Sequence, residues 1–220
     1  LFRSPCDRAV TQTSARAGAD VCVTARSQGQ VESVAAEIRE LGRKGIGEVC
    51  DVASLESVSA MVESTVSQLG KLDILVNNAG GGLERTHVGD DDPAVWKEVI
   101  EINLLGTYYC SRQTLPHLKK SRGKVINIGS GMGHQPRATN SSYNVAKAGV
   151  WMLTRCMAMQ LWDEGVAVNE LIPGPVETEL TKDAFQASQP HPQMVSEWIK
   201  QPQDVVPLAM FMMTQPEKGA

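Results

Sequence analysis

Short apolar runs alternate along the chain with longer segments whose apolar residues recur at helical spacing. Residues 31–41 show this spacing clearly, because Val31, Val34 and Ile38 fall on one stripe. The apolar runs predict strands at residues 21–24, 46–51, 72–76, 124–128 and 166–172. Strands that alternate with helices are typical of βαβ units around a parallel sheet. The pattern therefore predicts an α/β fold.

Capping and helix-breaking residues mark the ends of the predicted helices. Gly18 and Gly42 are expected to end the first two, and Ser54 is expected to cap the next. Pro93 is expected to open a long helix. Two further helices are predicted at about 142–162 and 204–214. These boundaries give each predicted strand a helix before or after it.

The sequence predicts one domain with a mobile segment near its end. Residues 178–203 are rich in Gln, Ser and Pro, which predicts a mobile flap. No repeat, linker or low-complexity tract divides the 220 residues, which are enough to bury a substantial core. We therefore expect a single domain over residues 1–220.

Composition and charge exclude several classes of function. The formal net charge is −4, so there is no overall electrostatic footprint for nucleic acid. No apolar run approaches the ~20 residues that a membrane-spanning helix needs. The five cysteines are scattered without a CxxC pair, which argues against a disulfide framework and a zinc site. We expect a cytoplasmic protein with no metal, nucleic-acid or membrane partner.

Tyr143 and Lys147 form the first candidate for chemistry. They are four residues apart in a predicted helix, so both side chains project from one face. An ammonium about 4 Å from a phenol, at an effective dielectric near 20, is worth roughly 4 kcal/mol. That would lower the tyrosine pKa by about three units before desolvation opposes it, into the range of a general acid/base. On spacing alone, an exposed helix that carries both residues by chance remains the alternative.

Polar residues at the ends of two predicted strands strengthen the case for a site. Ser130 follows the strand at 124–128, and Asn77–Gly80 follow the strand at 72–76. Ligands of open parallel sheets bind at the carboxyl ends of the strands. These strand ends and the face that carries Tyr143 are therefore expected to meet in one crevice.

Taken together, these motifs resemble the classical short-chain dehydrogenases/reductases. Over residues 8 to 215 the family's markers occur in its order and approximate spacing: Asn77-Asn78-Ala79-Gly80, Asn103, Ser130, Tyr143-Asn144-Val145-Ala146-Lys147 and Pro173-Gly174. The resemblance implies a three-layer, doubly wound, mostly parallel sheet of the Rossmann-like type. It also implies hydride transfer between a nicotinamide cofactor and a carbonyl or secondary-alcohol substrate.

The resemblance assigns catalytic roles to four residues. Tyr143 would carry the proton, and Ser130 would hold the substrate oxygen. Lys147 would lower the tyrosine pKa and bind the nicotinamide ribose. Asn103 would hold a water that continues the proton relay. Judged from the residue alone, Asn103 would be a polar residue that bends its helix locally.

The residues after the first predicted strand bear on the choice of cofactor. NAD-preferring members place Asp or Glu there, whereas this chain has Ala25-Arg26-Ser27. A guanidinium favours a 2′-phosphate, so NADP(H) is favoured over NAD(H), unless Arg26 is merely solvated. The resemblance implies further cofactor contacts at Asp51, Val52, Asn78, Ala79, Gly80, Tyr143, Lys147, Pro173, Gly174, Val176 and Thr178.

Both termini depart from the family pattern. Where the family has a strand and a TGxxxGxG turn, residues 1–7 contain no glycine, and Asp7 would set a negative charge near phosphate oxygens. The family's last strand, beyond Ala220, is also absent. The sheet is therefore expected to be incomplete at its first and last strands. Either the sequence is incomplete, or Leu1–Pro5 forms a makeshift strand with weakened cofactor binding.

The leading hypothesis is thus an NADP(H)-dependent carbonyl reductase or secondary-alcohol dehydrogenase, and two alternatives stay open. One is a 3-oxoacyl-thioester reductase, whose acidic carrier protein would need basic residues outside the crevice. The candidates for that role are Arg112, Lys119, Lys120, Arg122 and Lys124, although a solvated helix end would explain them as well. The other is a catalytically impaired protein that acts by association.

The family's oligomers suggest a homodimer or homotetramer here. Aromatic residues fall in the two long predicted helices that family members use for assembly, namely Trp96, Tyr108, Tyr109 and Trp151. Packing of these rings in the monomer core is the alternative. A small-molecule substrate is expected, with its identity set by the flap at 179–200 and by the segment 132–140.

Overall fold

The computed structural model describes residues 5–82, 86–177 and 199–216, with side chains from residue 7 onward. The helices are α1 (Pro5–Arg16), α2 (Gln28–Glu40), α3 (Leu55–Leu69), α4 (Pro93–Ile100), α5 (Gly106–Ser121), α6 (Gly131–His134), α7 (Ser141–Gln160) and α8 (Pro202–Thr214). The strands are β1 (Val21–Ala25), β2 (Gly45–Val49), β3 (Ile74–Asn77), β4 (Lys124–Ile128) and β5 (Ala167–Leu171). Each strand predicted from the apolar runs lies within about two residues of an observed one.

The strands form two parallel ladders. β1 pairs with β2, and β4 lies between β3 and β5. In the part of the chain that is described, no strand joins β1 to β3, so one edge of each lacks a ladder partner. As a result, Ile74 and Val76 of β3 are more than one third exposed. The sheet is thus open where the sequence predicts a missing first strand.

At Pro5, the one described residue of the makeshift strand predicted for Leu1–Pro5, the structure differs from that prediction. Pro5 begins helix α1, which suits a residue without an amide hydrogen, and residues 1–4 lie outside the described ranges. The end of the predicted flap differs as well. Lys200 forms a β-bridge with Val176 and Pro202 begins α8, so the residues from 200 to 203 are ordered by backbone pairing.

Helices cover the strands on both faces. On one face, α1 and α2 pack on β1, and α8 packs on β4 and β5, with α1 lying against both α2 and α8. On the other face, α3 and α5 pack together beside β2, while α5 and α7 enclose the apolar cluster over β4 and β5. Val23 of β1, Val125 and Ile126 of β4 and Leu171 of β5 are therefore almost fully buried, as parallel strands require.

A π-helical turn, Glu101–Leu105, joins α4 to α5 and makes one long helix from Pro93 to Ser121. The predicted start is confirmed, since Pro93 occupies the first turn and the Asp92 side chain accepts the Ala94 amide. Pro116 lies within α5, five residues before its end. The apolar spacing runs through Ile102 and Leu105 as in an ordinary helix, so it does not predict the π-turn, and it misses the short helix α6.

The predicted cap of α3 is present. The Ser54 Oγ accepts the Ser57 amide at 3.2 Å, and Gly70 ends the helix with a φ of 83°. Because the cap serves an amide that has no partner within the helix, its loss destabilises the first turn.

Ser54→Ala is expected to lower the free energy of unfolding by about 1 kcal/mol, since the Ser57 amide loses its acceptor. Urea denaturation followed by circular dichroism measures this change. Ser59→Ala, which removes only a hydrogen bond to Glu63 within the same helix, is the matched control and should change stability by less than about 0.5 kcal/mol. Equal losses in both variants would contradict the capping role.

Candidate active site

Three of the predicted catalytic residues lie together at the carboxyl end of β4. Ser130 follows this strand, and its Oγ accepts the Met132 amide at 3.2 Å, which fixes the side chain at the start of α6. Tyr143 and Lys147 lie in the first two turns of α7. Burial raises the pKa of the Tyr143 phenol, and the nearby Ser130 hydroxyl opposes this shift. The structure therefore brings the serine, the tyrosine and the lysine into one cluster.

Lys147 is buried, with 4% of its surface exposed. Its Nζ donates to the Ile128 carbonyl at 2.8 Å and lies 5.6 Å from the centre of the Tyr143 ring. Burial lowers the pKa of the ammonium to about 8, and the negative charge of Glu170 opposes this shift. At neutral pH the buried ammonium is therefore still mostly protonated.

The tyrosine differs from the prediction made from spacing. Burial raises the pKa of Tyr143, and the nearby Ser130 hydroxyl offsets this only in part, so the expected lowering by Lys147 is wrong for the protein without a bound cofactor. The Lys147 ammonium donates to the Ile128 carbonyl and lies beside the Tyr143 ring. The phenol is thus protonated at neutral pH, the form that donates a proton.

Asn103 fastens the loop that follows β3. It is fully buried in the π-turn; its Oδ1 accepts the Gly81 amide at 3.0 Å, and its Nδ2 donates to the carbonyls of Gly81 and Val99 at 3.0 and 2.9 Å. Both hydrogens of the amide are therefore committed to backbone. A water-holding role for this side chain would have to use its remaining acceptor capacity.

Glycine is the one residue type that fits at position 80. A Cβ at Gly80 would overlap the Asn103 Oδ1 and lie 3.6 Å from the Lys147 Nζ. The adjacent Gly82 faces the Tyr143 ring, where a Cβ would lie 3.7 Å from the side chain. The backbone at Gly80 and Gly82 therefore lies close to the side chains of Lys147 and Tyr143.

A buried polar network fixes the strands that lead into the catalytic cluster. The sequence pattern does not predict it. Asn77 Nδ2 donates to Asn127 Oδ1 at 2.8 Å and to Ser111 Oγ at 3.0 Å. Asn127 Nδ2 in turn donates to Thr154 Oγ1 at 2.8 Å. These bonds tie β3 and β4 to α5 and α7. Two asparagines at the ends of otherwise apolar strands are the signal that could have revealed it.

A second group of predicted residues lines a small, open cleft. The cleft is bounded by Arg26, Cys50, Asp51, Val52, Ala79 and Ile102. Arg26 and Asp51 are exposed and lie just beyond β1 and β2, where strand ends present ligand-binding groups. Four of these residues are among the predicted cofactor contacts. Ala79 lines the cleft, and the next residue, Gly80, lies close to Lys147. The cleft and the catalytic cluster are therefore connected by one loop.

The predicted nicotinamide loop is described only in part. Gly174 has a φ of 71°, which favours glycine, and Val176 is buried against α8 and bridged to Lys200. Pro173 and Gly174 follow β5 at the same edge of the sheet as Ser130. Thr178 lies outside the described residues, as does the flap up to residue 198.

Helix α1 stands where the resemblance places a glycine-rich turn. Asp7 lies in its first turn, and burial raises the pKa of this carboxyl to about 7. The carboxyl is therefore only partly ionised at neutral pH, which weakens the repulsion that the sequence predicts toward phosphate oxygens.

The basic cluster predicted as a carrier-protein contact does not lie beside the catalytic residues. Lys119 is in the last turn of α5, where it pairs with Glu164 at 2.6 Å, and Lys124 begins β4. Ser130 lies beyond the opposite end of that strand. The cluster thus lies at the amino ends of the strands, roughly 16 Å away along β4.

Within residues 5–82, 86–177 and 199–216, no group of three or more His, Cys, Asp or Glu side chains could hold a metal ion. None of the helices described is both long enough and apolar enough to cross a lipid bilayer.

Comparison with known proteins gives consistent matches. A family model described as short chain dehydrogenase matches residues 7–189. The 3-oxoacyl-acyl-carrier-protein reductase of Vibrio harveyi is 36% identical over 178 residues, which are 80% of this chain and 70% of that protein. The 7alpha-hydroxysteroid dehydrogenase of Escherichia coli K12 is 32% identical over 204 residues, or 91% of this chain and 79% of that protein.

Solved structures share the fold. A short-chain type dehydrogenase/reductase from Mycobacterium marinum has a TM-score of 0.84 at 26% identity, covering 94% of this chain and 84% of its own. Carveol dehydrogenase from Mycobacterium avium, solved in complex with NAD, has the same TM-score at 24% identity, covering 94% and 86%.

Gly80→Ala is expected to lower the free energy of unfolding by about 1–3 kcal/mol, because the new Cβ would displace the Asn103 amide. Thermal and urea unfolding measure the loss. Gly29→Ala is the matched control, since a Cβ there meets nothing within 4 Å and alanine is favoured in a helix. If Gly80→Ala were as stable as Gly29→Ala, the close packing of this loop on Asn103 would be wrong.

Proposed function

We propose that this chain, which belongs to the short-chain dehydrogenase family of NAD(P)-dependent oxidoreductases, transfers a hydride between NADP(H) and a carbonyl or secondary alcohol. The observation that carries the proposal is the cluster of Ser130, Tyr143 and Lys147 at the carboxyl end of β4. The residues around it fit a nicotinamide cofactor, because Ala79 lines the cleft at Arg26 and the next residue, Gly80, lies close to Lys147. The cofactor, when bound, supplies or accepts the hydride.

Tyr143 donates the proton to the substrate oxygen in the direction of reduction. Its raised pKa keeps the phenol protonated at neutral pH, and the Ser130 hydroxyl beside it holds the same oxygen. In the direction of oxidation the phenol must first lose its proton. The positive charge of Lys147 stabilises the phenolate that this leaves, as it also does after a proton is donated.

Asn103 contributes by position. Its bonds to Gly81 hold the loop over the catalytic cluster, and a water on its remaining acceptor would continue the proton path to solvent. Its location in the π-turn supports this role, because the turn directs the side chain to the loop after β3.

NADP(H) is the proposed cofactor because of the charge at the edge of the cleft. Arg26 is exposed at the end of β1, and no carboxylate occupies the position of Ala25 or Ser27 to repel a 2′-phosphate. The proposed contacts with the rest of the cofactor are Asp51, Val52, Asn78, Ala79, Gly80, Tyr143, Lys147, Pro173, Gly174, Val176 and Thr178.

The substrate class and the assembly state belong to the same proposal. Relatives act on 3-oxoacyl groups attached to carrier protein and on a 7alpha-hydroxysteroid, so ketones of both sizes are candidates. A homo-oligomer through α5 and α7 is supported by apolar side chains on these helices that are at least 39% exposed, namely Tyr108, Val145, Met152 and Met159. Residues 1–220 act as one domain.

Tyr143→Phe is expected to lower kcat by at least 100-fold, because the ring is kept and only the transferable proton is lost. The measurement is the absorbance of the reduced nicotinamide with a panel of 3-oxoacyl thioesters, steroids, sugars and small ketones. Tyr109→Phe, in α5 and away from the cluster, should retain the wild-type rate. Retention of most activity by Tyr143→Phe would remove the assigned proton donor.

Arg26→Ala is expected to weaken NADPH binding by roughly 10- to 100-fold and to leave NADH binding within about threefold, since only NADPH presents a 2′-phosphate to the guanidinium. Fluorescence titration with each cofactor measures both constants. Arg16→Ala, an exposed arginine at the end of α1, serves as the control. Equal effects on the two cofactors would contradict the NADP(H) preference. Absence of saturable binding of either cofactor to the wild-type protein would favour the non-catalytic alternative.

A further inference from the structure

We propose that Glu170 is a positioning residue for this reaction, which acts through Lys147 and is held in place by His134. The inference rests on the proposed function, because it concerns the charge of the lysine that faces the catalytic tyrosine. None of the motifs that led to the site includes Glu170 or assigns a role to His134.

Glu170 belongs to a row of polar side chains across the sheet. Asn77, Asn127 and Glu170 are successive register partners on β3, β4 and β5, so their side chains emerge on the same face. That face is covered by α5 and α7, because Asn77 bonds to Ser111 and Asn127 bonds to Thr154. The carboxyl group therefore enters the protein beside the helix that carries Lys147.

The carboxyl group is buried and only half satisfied. The Glu170 side chain is 10% exposed; its Oε2 accepts a hydrogen bond of 2.9 Å from His134 Nε2. Its Oε1 is buried and has no hydrogen-bond partner among the residues described. This oxygen occupies the place that a Cβ at Gly129 would take, one residue before Ser130. The glycine thus makes room for the carboxylate next to the catalytic serine.

An unpaired carboxylate oxygen in the interior requires a nearby positive charge. The titratable and charged groups of α6 and α7, the helices at this end of the strands, are His134 on α6, and Tyr143, Lys147, Arg155 and Cys156 on α7. The Arg155 Cζ lies 5.3 Å from the centre of the Trp151 ring, and the centres of the Trp151 and His134 rings are 4.8 Å apart. Lys147 is the buried cation on this side of the sheet, and its Nζ is fixed on the Ile128 carbonyl, one residue beyond Asn127.

The two charges therefore flank the end of β4 and stabilise each other. Burial alone drives the Lys147 pKa downward, and the charge of Glu170 opposes that shift. Without Glu170 the lysine would lose its proton at a lower pH. The phenolate of Tyr143 would then lack its counter-charge over part of the physiological pH range.

The test measures the protonation of Lys147 directly. Protein labelled with ¹³C-lysine is titrated and followed by NMR at Cε, with Lys147→Met used to assign the signal. Glu170→Gln keeps the size of the side chain and removes the charge; it should lower the Lys147 midpoint by about one pH unit, a tenfold change in the protonation equilibrium. Glu164→Gln is the matched control, because that carboxylate pairs with Lys119 at the other end of the strands, and it should leave the midpoint unchanged.

The pH dependence of the rate is the second readout. The basic limb of the kcat profile for reduction should move to lower pH by the same amount in Glu170→Gln and should not move in Glu164→Gln. A structural role alone would lower stability and leave both midpoints in place. An unchanged or higher Lys147 midpoint in Glu170→Gln would overturn the inference.

The two proposals fail separately. If the wild-type protein reduced no carbonyl compound, the proposed function would fail, and the NMR midpoint would still decide whether Glu170 controls Lys147. Glu170→Ala is the second variant if circular dichroism shows that the glutamine variant is unfolded, with the same fall in midpoint expected. A wild-type midpoint in a folded Glu170→Ala would equally contradict the role.

Discussion

The burial of one ammonium group, that of Lys147, constrains the rest of this structure. A cation taken out of water must be surrounded by acceptors or by negative charge. Here the Ile128 carbonyl accepts directly, the Tyr143 ring lies beside the charge, and Glu170 opposes the shift caused by burial. These partners come from β4, α7 and β5. The position of the lysine therefore requires helix α7 to dock at one place on the ends of these strands.

Close docking of that kind demands small residues at the contact points. A Cβ at Gly133 would meet the backbone of Lys147 at 2.6 Å, and a Cβ at Gly80 would overlap the Asn103 amide. The glycines thus permit α6 and the loop after β3 to approach α7, while the Asn77–Asn127–Thr154 bonds fix the strands beneath. The side of the site at β3 to β5 is rigidly built. The side at β1 and β2 is an open cleft that presents charged groups to solvent.

The sequence predicts well whatever depends on periodicity or on local motifs. The strand at 124–128 coincides with β4, the Ser54 cap is present, and the Rossmann-like α/β fold and the dehydrogenase family are confirmed by the family match and by the solved structures. The meeting of Ser130, Tyr143 and Lys147 follows from strand ends and helical spacing. The roles of these residues stay predictions that the proposed variants test.

What the sequence could not provide depends on burial and on contacts distant in the chain. The spacing of Tyr143 and Lys147 predicts a lowered tyrosine pKa, but only the fold reveals that burial raises this pKa and that Ser130 opposes the shift. Likewise, Glu170 and His134 are 36 residues apart and share no motif, and they meet only because β5 pairs with β4 and α6 follows β4. The π-turn at Asn103 looks like ordinary helix in the sequence, because Ile102 and Leu105 keep helical spacing while the bonds of Asn103 reach a loop 22 residues earlier.

The buried charge of Lys147 lowers the stability of the folded state while it serves the proposed reaction. The folded pKa of Lys147, about 8, lies below its ordinary value of 10.5, so the unfolded chain binds the proton more tightly. Between these two pH values stability rises with pH, and below pH 8 the folded state bears the whole penalty, about 3 kcal/mol. A neutral or apolar side chain at this position would avoid that loss. The penalty is largest at neutral pH, where the ammonium is most useful beside a phenolate. The charge of Lys147 is therefore maintained at the expense of stability. Glu170 is the group that keeps this loss of stability from being larger.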